Sequence, residues 1–154
     1  MKNEELIRIE KNNNGEEPKT TKIIIRAKNV KNADKVLYNT KEIMKTISKY
    51  AYTNTWATDD EWKDLLPKWF IESMTLKSSA DRDKDDNLWH YESWIDNMRM
   101  RAWLWWSSKK SENEKDLEFV LETLSIPYLF ESFLYILYSQ GVPMENISVE
   151  DDID

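Results

Sequence analysis

Apolar residues recur along the chain with two different periods, and the changes between them divide it into elements. Leu6-Ile7-Arg8-Ile9-Glu10 and Lys22-Ile23-Ile24-Ile25-Arg26 are short, β-branched runs separated by Asn12-Asn13-Asn14-Gly15-Glu16-Glu17-Pro18. Branching at Cβ suits a pleated surface, and the Asn, Gly and Pro between the runs are turn formers, so the segment predicts an N-terminal β-hairpin. Beyond Asp34, a predicted N-cap, Val36, Thr40, Ile43, Ile47 and Tyr50 recur at helical spacing. They predict a helix from about Lys35 to Tyr52.

Thr58-Asp59-Asp60-Glu61 fits a capping box, in which hydroxyl and carboxylate each accept a free backbone N–H at the helix start. Trp62, Leu65 and Leu66 follow on one face until Pro67, which lacks an N–H and crowds the preceding turn. Lys68-Trp69-Phe70-Ile71 restarts a helix with Pro67 at its first turn. Leu76 to Asn87 is rich in Ser and Asp and reads as an exposed loop. Tyr91, Trp94, Ile95 and Met98 then line one side of a short helix.

From Met100 the period shortens to two. Ala102, Leu104 and Trp106 face one way and Trp103 and Trp105 the other, so both faces are apolar, as in an inner strand. Ser107 to Asp116 is a charged loop, and Leu117-Glu118-Phe119-Val120-Leu121-Glu122 alternates as the return strand. Pro127 opens a last helix with Leu129, Phe133, Ile136 and Leu137, ended by Gly141 and Pro143. Asn146 to Val149 is a short closing strand. The pattern predicts one α+β domain over residues 1–154: an N-terminal β-hairpin, several helices, an antiparallel Trp-rich hairpin, then a C-terminal helix and strand. The acidic tail, residues 150–154, is expected to be a mobile terminus.

Composition sharpens this. The 154 residues contain eight Trp, five of them between Trp89 and Trp106, but no Cys, one His and two Gly. Each indole brings a large apolar area and one N–H donor, so the rings form either a bulky core or an aromatic surface kept for a partner. Without Cys there are no disulfides, thiolate nucleophiles or cysteine metal sites. The longest apolar run, Tyr128 to Tyr138, is interrupted by Glu131 and Ser132 and is too short to span a bilayer. Met1-Lys2-Asn3-Glu4-Glu5 lacks the apolar core of a signal peptide. A cytoplasmic protein is expected, with no membrane partner.

Charge is uneven. Residues 1–50 balance to +5 and residues 51–154 to −12, for a net −7. Most of such a surface repels phosphate, which argues against nucleic acid and favours a basic protein partner. Acidity of this kind also keeps a Trp-rich chain in solution.

Asp81, Asp83 and Asp85, with Asn87 and Glu92, have the ligand spacing of a twelve-residue Ca²⁺ loop. The sixth place holds Asp86, where the sharp turn calls for Gly. A solvated Asp-rich loop produces the same spacing. His90 has no second His or Cys beside it, no nucleophile elbow is present, and two Gly are too few for a phosphate cradle. No enzyme activity, catalytic residue or cofactor is expected.

Leu66-Pro67-Lys68-Trp69-Phe70-Ile71, Tyr91-Glu92-Ser93-Trp94-Ile95 and Arg101-Ala102-Trp103-Leu104-Trp105-Trp106 are similar to an uncharacterised bacterial group of small acidic, Trp-rich proteins. That group combines an LP-x-WF element, a W-x-WW strand and a C-terminal strand-helix-strand. The likeness covers about residues 60–150 and implies no established activity. In size, acidity and lack of catalytic groups the chain also resembles, in type, immunity proteins that neutralise bacterial toxins.

The expectation is therefore a protein-binding module of the immunity type. An acidic surface would meet the basic active-site face of a toxin, such as a nuclease, with one or two aromatic anchors. The expected contact residues are Asp59, Asp60, Glu61, Trp69, Asp81, Asp83, Asp85, Arg99 and Arg101. Two alternatives stay open. One is Ca²⁺ binding through Asp81, Asp83, Asp85, Asn87 and Glu92; the other is a structural or oligomerising subunit using the apolar helix Tyr128 to Gln140.

Overall fold

Alternation builds the centre of the molecule. In β1, Thr21–Ala27, the side chains of Ile23, Ile25 and Ala27 are buried while Lys22, Ile24 and Arg26 stay half-buried on the other face. The computed structural model describes residues 3–11, 15–53, 55–75, 88–124 and 129–151. Among them β1 pairs antiparallel with β3, Leu117–Thr123, on one side and with β4, Ile147–Asp151, on the other. A further strand, β2 (Trp103–Lys110), pairs with β3, so the sheet order is β2-β3-β1-β4. This is an α+β fold.

Helices cover one face of the sheet. After α1, Glu4–Glu10, come α2 (Ala33–Ala51), α3 (Asp59–Leu65), α4 (Lys68–Thr75), α5 (Tyr91–Arg99) and α6 (Glu131–Tyr138). Each long helix buries one stripe: Val36, Thr40, Ile43, Met44 and Ile47 in α2, and Tyr91, Trp94, Ile95 and Met98 in α5. Phe133 of α6 stands at the middle of the core, meeting Trp103, Trp105 and Phe119 edge-on at 5.6, 6.1 and 5.1 Å between ring centroids. Edge-to-face contact sets the positive rim of one ring against the negative face of the next.

Local signals at the helix ends act as expected. The N–H of Glu61 donates to Thr58 Oγ1 at 3.2 Å, and the N–H of Thr58 donates to Glu61 Oε1 at 3.1 Å. Pro67 separates α3 from α4, and its carbonyl accepts the N–H groups of Phe70 and Ile71 at 3.0 and 3.1 Å. Gly141, at φ +92°, turns the chain out of α6, in the left-handed region that a side chain disfavours.

Several expectations are corrected. Leu6 to Glu10 is not a strand but belongs to helix α1, so there is no N-terminal hairpin. Both edges of β1 are already taken by β3 and β4. Asn3 caps the new helix by accepting the N–H of Leu6 at 3.0 Å, and Glu5 and Ile9, four residues apart, turn to one buried face. Helix α2 is capped not by Asp34 but by Asn32, left-handed at φ 54°. Of the tail, Glu150 and Asp151 pair in β4, opposite Ile24 and Ile23, and residues 152–154 lie outside the described residues.

The Trp-rich strand also sits elsewhere than expected. β2 is an edge strand, not an inner one, and begins at Trp103 rather than Met100. Trp103 and Trp105 are buried on the core face, whereas Leu104 and Trp106 are only half-buried on the other. The register shifts between Trp105 and Ser107, a bulge at Trp106 that returns Ser108 to the core face. On the outer face Leu104 and Trp106 line a cleft together with residues of α1.

Candidate binding cleft

The free edge of β2 is closed by side chains of α1. At Trp105 the main-chain N–H and C=O point away from β3, towards the helix. The N–H donates to Glu5 Oε2 at 2.8 Å, and the C=O accepts Arg8 Nε at 3.1 Å. Glu5 is fully buried, and its second oxygen accepts Arg101 Nη2 at 2.5 Å. Arg101 reaches it from a left-handed backbone at φ 49°, a conformation costing a non-glycine residue of order 1 kcal/mol or more. The arrangement gives an edge strand the satisfied backbone that a pairing strand would otherwise supply.

Beside this contact lies a cleft of about 760 Å³. One wall is α1, through Glu4, Ile7 and Arg8; the floor is the outer sheet face, through Leu104, Trp106 and Glu122. Glu16 and Lys19 close one side and Tyr52, at the end of α2, the other. The Arg8 guanidinium stands 4.5 Å from the Trp106 ring centroid, and the Trp106 indole donates to the Glu16 carbonyl at 2.6 Å. Burial, followed by the Glu5 charge, holds the Tyr52 hydroxyl above the ordinary tyrosine range, so at neutral pH it is a donor.

Four lining residues are carboxylates, against Arg8 and Lys19. Glu5 is neutralised by Arg101. The carboxylates of Glu4, Glu16 and Glu122 have no hydrogen bond or ion pair among the described residues. Such a surface attracts cations and offers them ring faces to lie on.

The residues expected to contact a partner are not gathered in this cleft. Asp59 and Asp60 are exposed in the first turn of α3, while the Glu61 carboxylate is engaged by the capping box, which holds it below the usual carboxylate range. Trp69, 37% exposed, lines a separate groove with Lys31, Lys35 and Gln140, whose lysines are the wrong charge for a basic partner. Arg99 is exposed at the end of α5; Arg101 is an internal ion-pair partner rather than a surface contact. Asp81, Asp83, Asp85 and Asn87 lie outside the described residues, so the proposed Ca²⁺ loop is represented by Glu92 alone, in the first turn of α5. His90 caps that helix, its Nδ1 accepting the N–H of Glu92 at 3.4 Å.

No protein-family model, curated protein or solved structure matches the chain. No helix among the described residues is long and apolar enough to cross a membrane.

Glu4, Arg8, Glu16, Tyr52, Trp106 and Glu122 are the cleft residues that sequence reasoning missed. Asn3 before Glu4-Glu5, with Arg8 a turn later, matches the charge preference of a short helix from cap to last turn. Weighed against the Ile7/Ile9 alternation, that pattern was the available sign that this segment is helical.

Proposed function

We propose that the protein is a non-enzymatic protein-binding module of the immunity type, whose partner is basic, such as a toxin domain. The observation that carries this reading is the trio of carboxylates, Glu4, Glu16 and Glu122, unpaired among the described residues, around a cleft with Trp106 on its floor and Tyr52 at one side. Carboxylates on a concave surface focus the field, speed the approach of a basic face and occupy the place of substrate phosphates. Aromatic rings then supply contact area at low entropic cost, as in interface hot spots.

Affinity capture from the source cell, followed by association kinetics across a salt series, tests the reading. The expected partner is basic on its contact face, loses on-rate steeply as salt rises, and loses its toxic activity when bound. A salt-indifferent on-rate or an acidic contact face on the partner would overturn it.

A further inference from the structure

We infer that β4, at the sheet edge opposite β2, is a second contact site, which takes up an extended basic segment of a partner protein as a further antiparallel strand. The two edges of the sheet are finished differently. At β2 the outward N–H and C=O of Trp105 are met by Glu5 and Arg8 of α1. Among the described residues no element does this for β4. The Lys28 N–H donates to the Asn146 carbonyl at 2.9 Å, and opposed residues of an antiparallel pair alternate between bonded and non-bonded. Ser148 and Glu150 therefore turn their main-chain groups to β1, while Ile147, Val149 and Asp151 turn theirs outward. The Ile147 N–H is taken by the Met144 carbonyl. Its C=O, the N–H and C=O of Val149 and the Asp151 N–H have no partner among the described residues. Ser148 to Asp151 are exposed, so this row of groups is open to a strand from outside.

The side chains select the occupant. Ile147, Val149 and Asp151 stand opposite Ala27, Ile25 and Ile23, on the core face of the sheet, yet Val149 is 39% exposed. An added strand covers it with an apolar side chain of its own. Glu150 holds Arg26 with one carboxylate oxygen at 2.6 Å, and Asp151 has no ion pair among the described residues. Charged residues on a sheet edge repel a second copy of the same strand; these acidic ones attract a basic strand instead. Main-chain bonds then supply affinity, and alternate side chains supply specificity. Running antiparallel to β4, the added segment is basic opposite Asp151 and Glu150, apolar opposite Val149, polar opposite Ser148 and apolar opposite Ile147.

Titration of the full chain with a peptide of that pattern, acetyl-KKRVTVK-amide, followed by backbone amide NMR and hydrogen exchange, tests the inference. The peptide should bind saturably and protect the Val149 amide. Methylating its two valine nitrogens removes the donors that face β4 and should weaken binding about tenfold, whereas methylating its arginine and threonine nitrogens should change it less than about twofold. Asp151→Asn should weaken binding by about two- to fivefold, and Asp59→Asn with Asp60→Asn should leave it unchanged. Val149→Pro should abolish the pairing while keeping the fold, because proline is tolerated on an edge strand where the N–H faces outward. Equal loss with the two methylated peptides, or no protection at Val149, would overturn strand addition. So would protection of Val149 that rises with protein concentration in the absence of peptide, since a second copy would then occupy the edge. The cleft beside α1 shares no residue with β4, so failure here leaves the proposed basic partner of the cleft standing.

Discussion

The Glu5 carboxylate, with no exposed surface, accepts the main-chain N–H of Trp105 at 2.8 Å across 100 residues of sequence. The same carboxylate holds Arg101, so one side chain secures both the sheet edge and the turn leading into it. Removing one partner of a buried ion pair leaves an uncompensated charge, so Arg101→Ala should cost about 3–5 kcal/mol. Glu5→Ala should fall in the same range, and the double variant should lose less than the sum of the two. Urea denaturation of the four proteins checks this; additive losses would show that the two groups act independently.

Two buried indoles differ in the partner of their nitrogen. Trp94 Nε1 donates to the Ser132 carbonyl at 2.9 Å, whereas Trp105 Nε1 has no hydrogen-bond partner among the described residues. Replacement by Phe strands an acceptor in the first case and relieves an unsatisfied donor in the second. Trp94→Phe should therefore be more destabilising than Trp105→Phe by about 1–3 kcal/mol. Trp105→Ala, which leaves a void among Phe119 and Phe133, should cost about 3–5 kcal/mol. Thermal and urea unfolding of the three variants give the ranking.

Helix α3 supplies a pH dependence. The Thr58 backbone N–H, then the Thr58 side chain, lowers the pKa of Glu61 in the folded state. A carboxyl depressed on folding contributes stability that is present above its unfolded value of ~4.3 and is lost as pH falls through the folded value. The glutamine variant Glu61→Gln cannot titrate, so its stability should fall less than that of the wild-type chain as the solution is acidified. Denaturant midpoints from neutral pH down to about pH 3 measure the difference, and parallel curves would remove this coupling.

Charge and aromatic contributions to partner binding should separate in kinetics. Glu122→Gln should mainly lower the on-rate, because it weakens steering, and Trp106→Ala should mainly raise the off-rate, because it removes contact area. Trp69→Ala, at a groove rimmed by Lys31 and Lys35, should change neither rate and cost less than about 1 kcal/mol of stability. Surface-based kinetics with the captured partner decide among these outcomes. A dominant effect of Trp69→Ala would move the contact face to α4.

Much of the fold was legible in the sequence because several elements carry local instructions. The capping box at Thr58, the break at Pro67, the apolar stripe from Tyr91 to Met98 and the exit at Gly141 depend on neighbours within a few residues. The errors arose where tertiary competition decides. Leu6 to Glu10 has the branching of a strand, yet β1 offers it no open edge. Trp103 to Trp106 has the apolarity of an inner strand, yet its second neighbour is a helix. The cleft was illegible for the same reason, since it joins residues from the first helix, the end of the second and two strands far along the chain.

That closure of a strand edge by a helix has a consequence for biosynthesis. Seven residues make a helix too short to hold itself in water, and α1 is the first described element of the chain to be made. Ser48 of α2, which holds the Asn3 cap, follows 45 residues later, but the anchors at the sheet edge, Arg101 and Trp105, are translated about a hundred residues later. Translation at ~5–20 residues per second leaves that beginning without the sheet edge it closes for several seconds. β1 waits as well, because both strands that flank it are still to come. Such distant pairings belong to slow-folding topologies. On the ribosome, therefore, α1 and β1 emerge well before the Trp-rich hairpin that completes their packing.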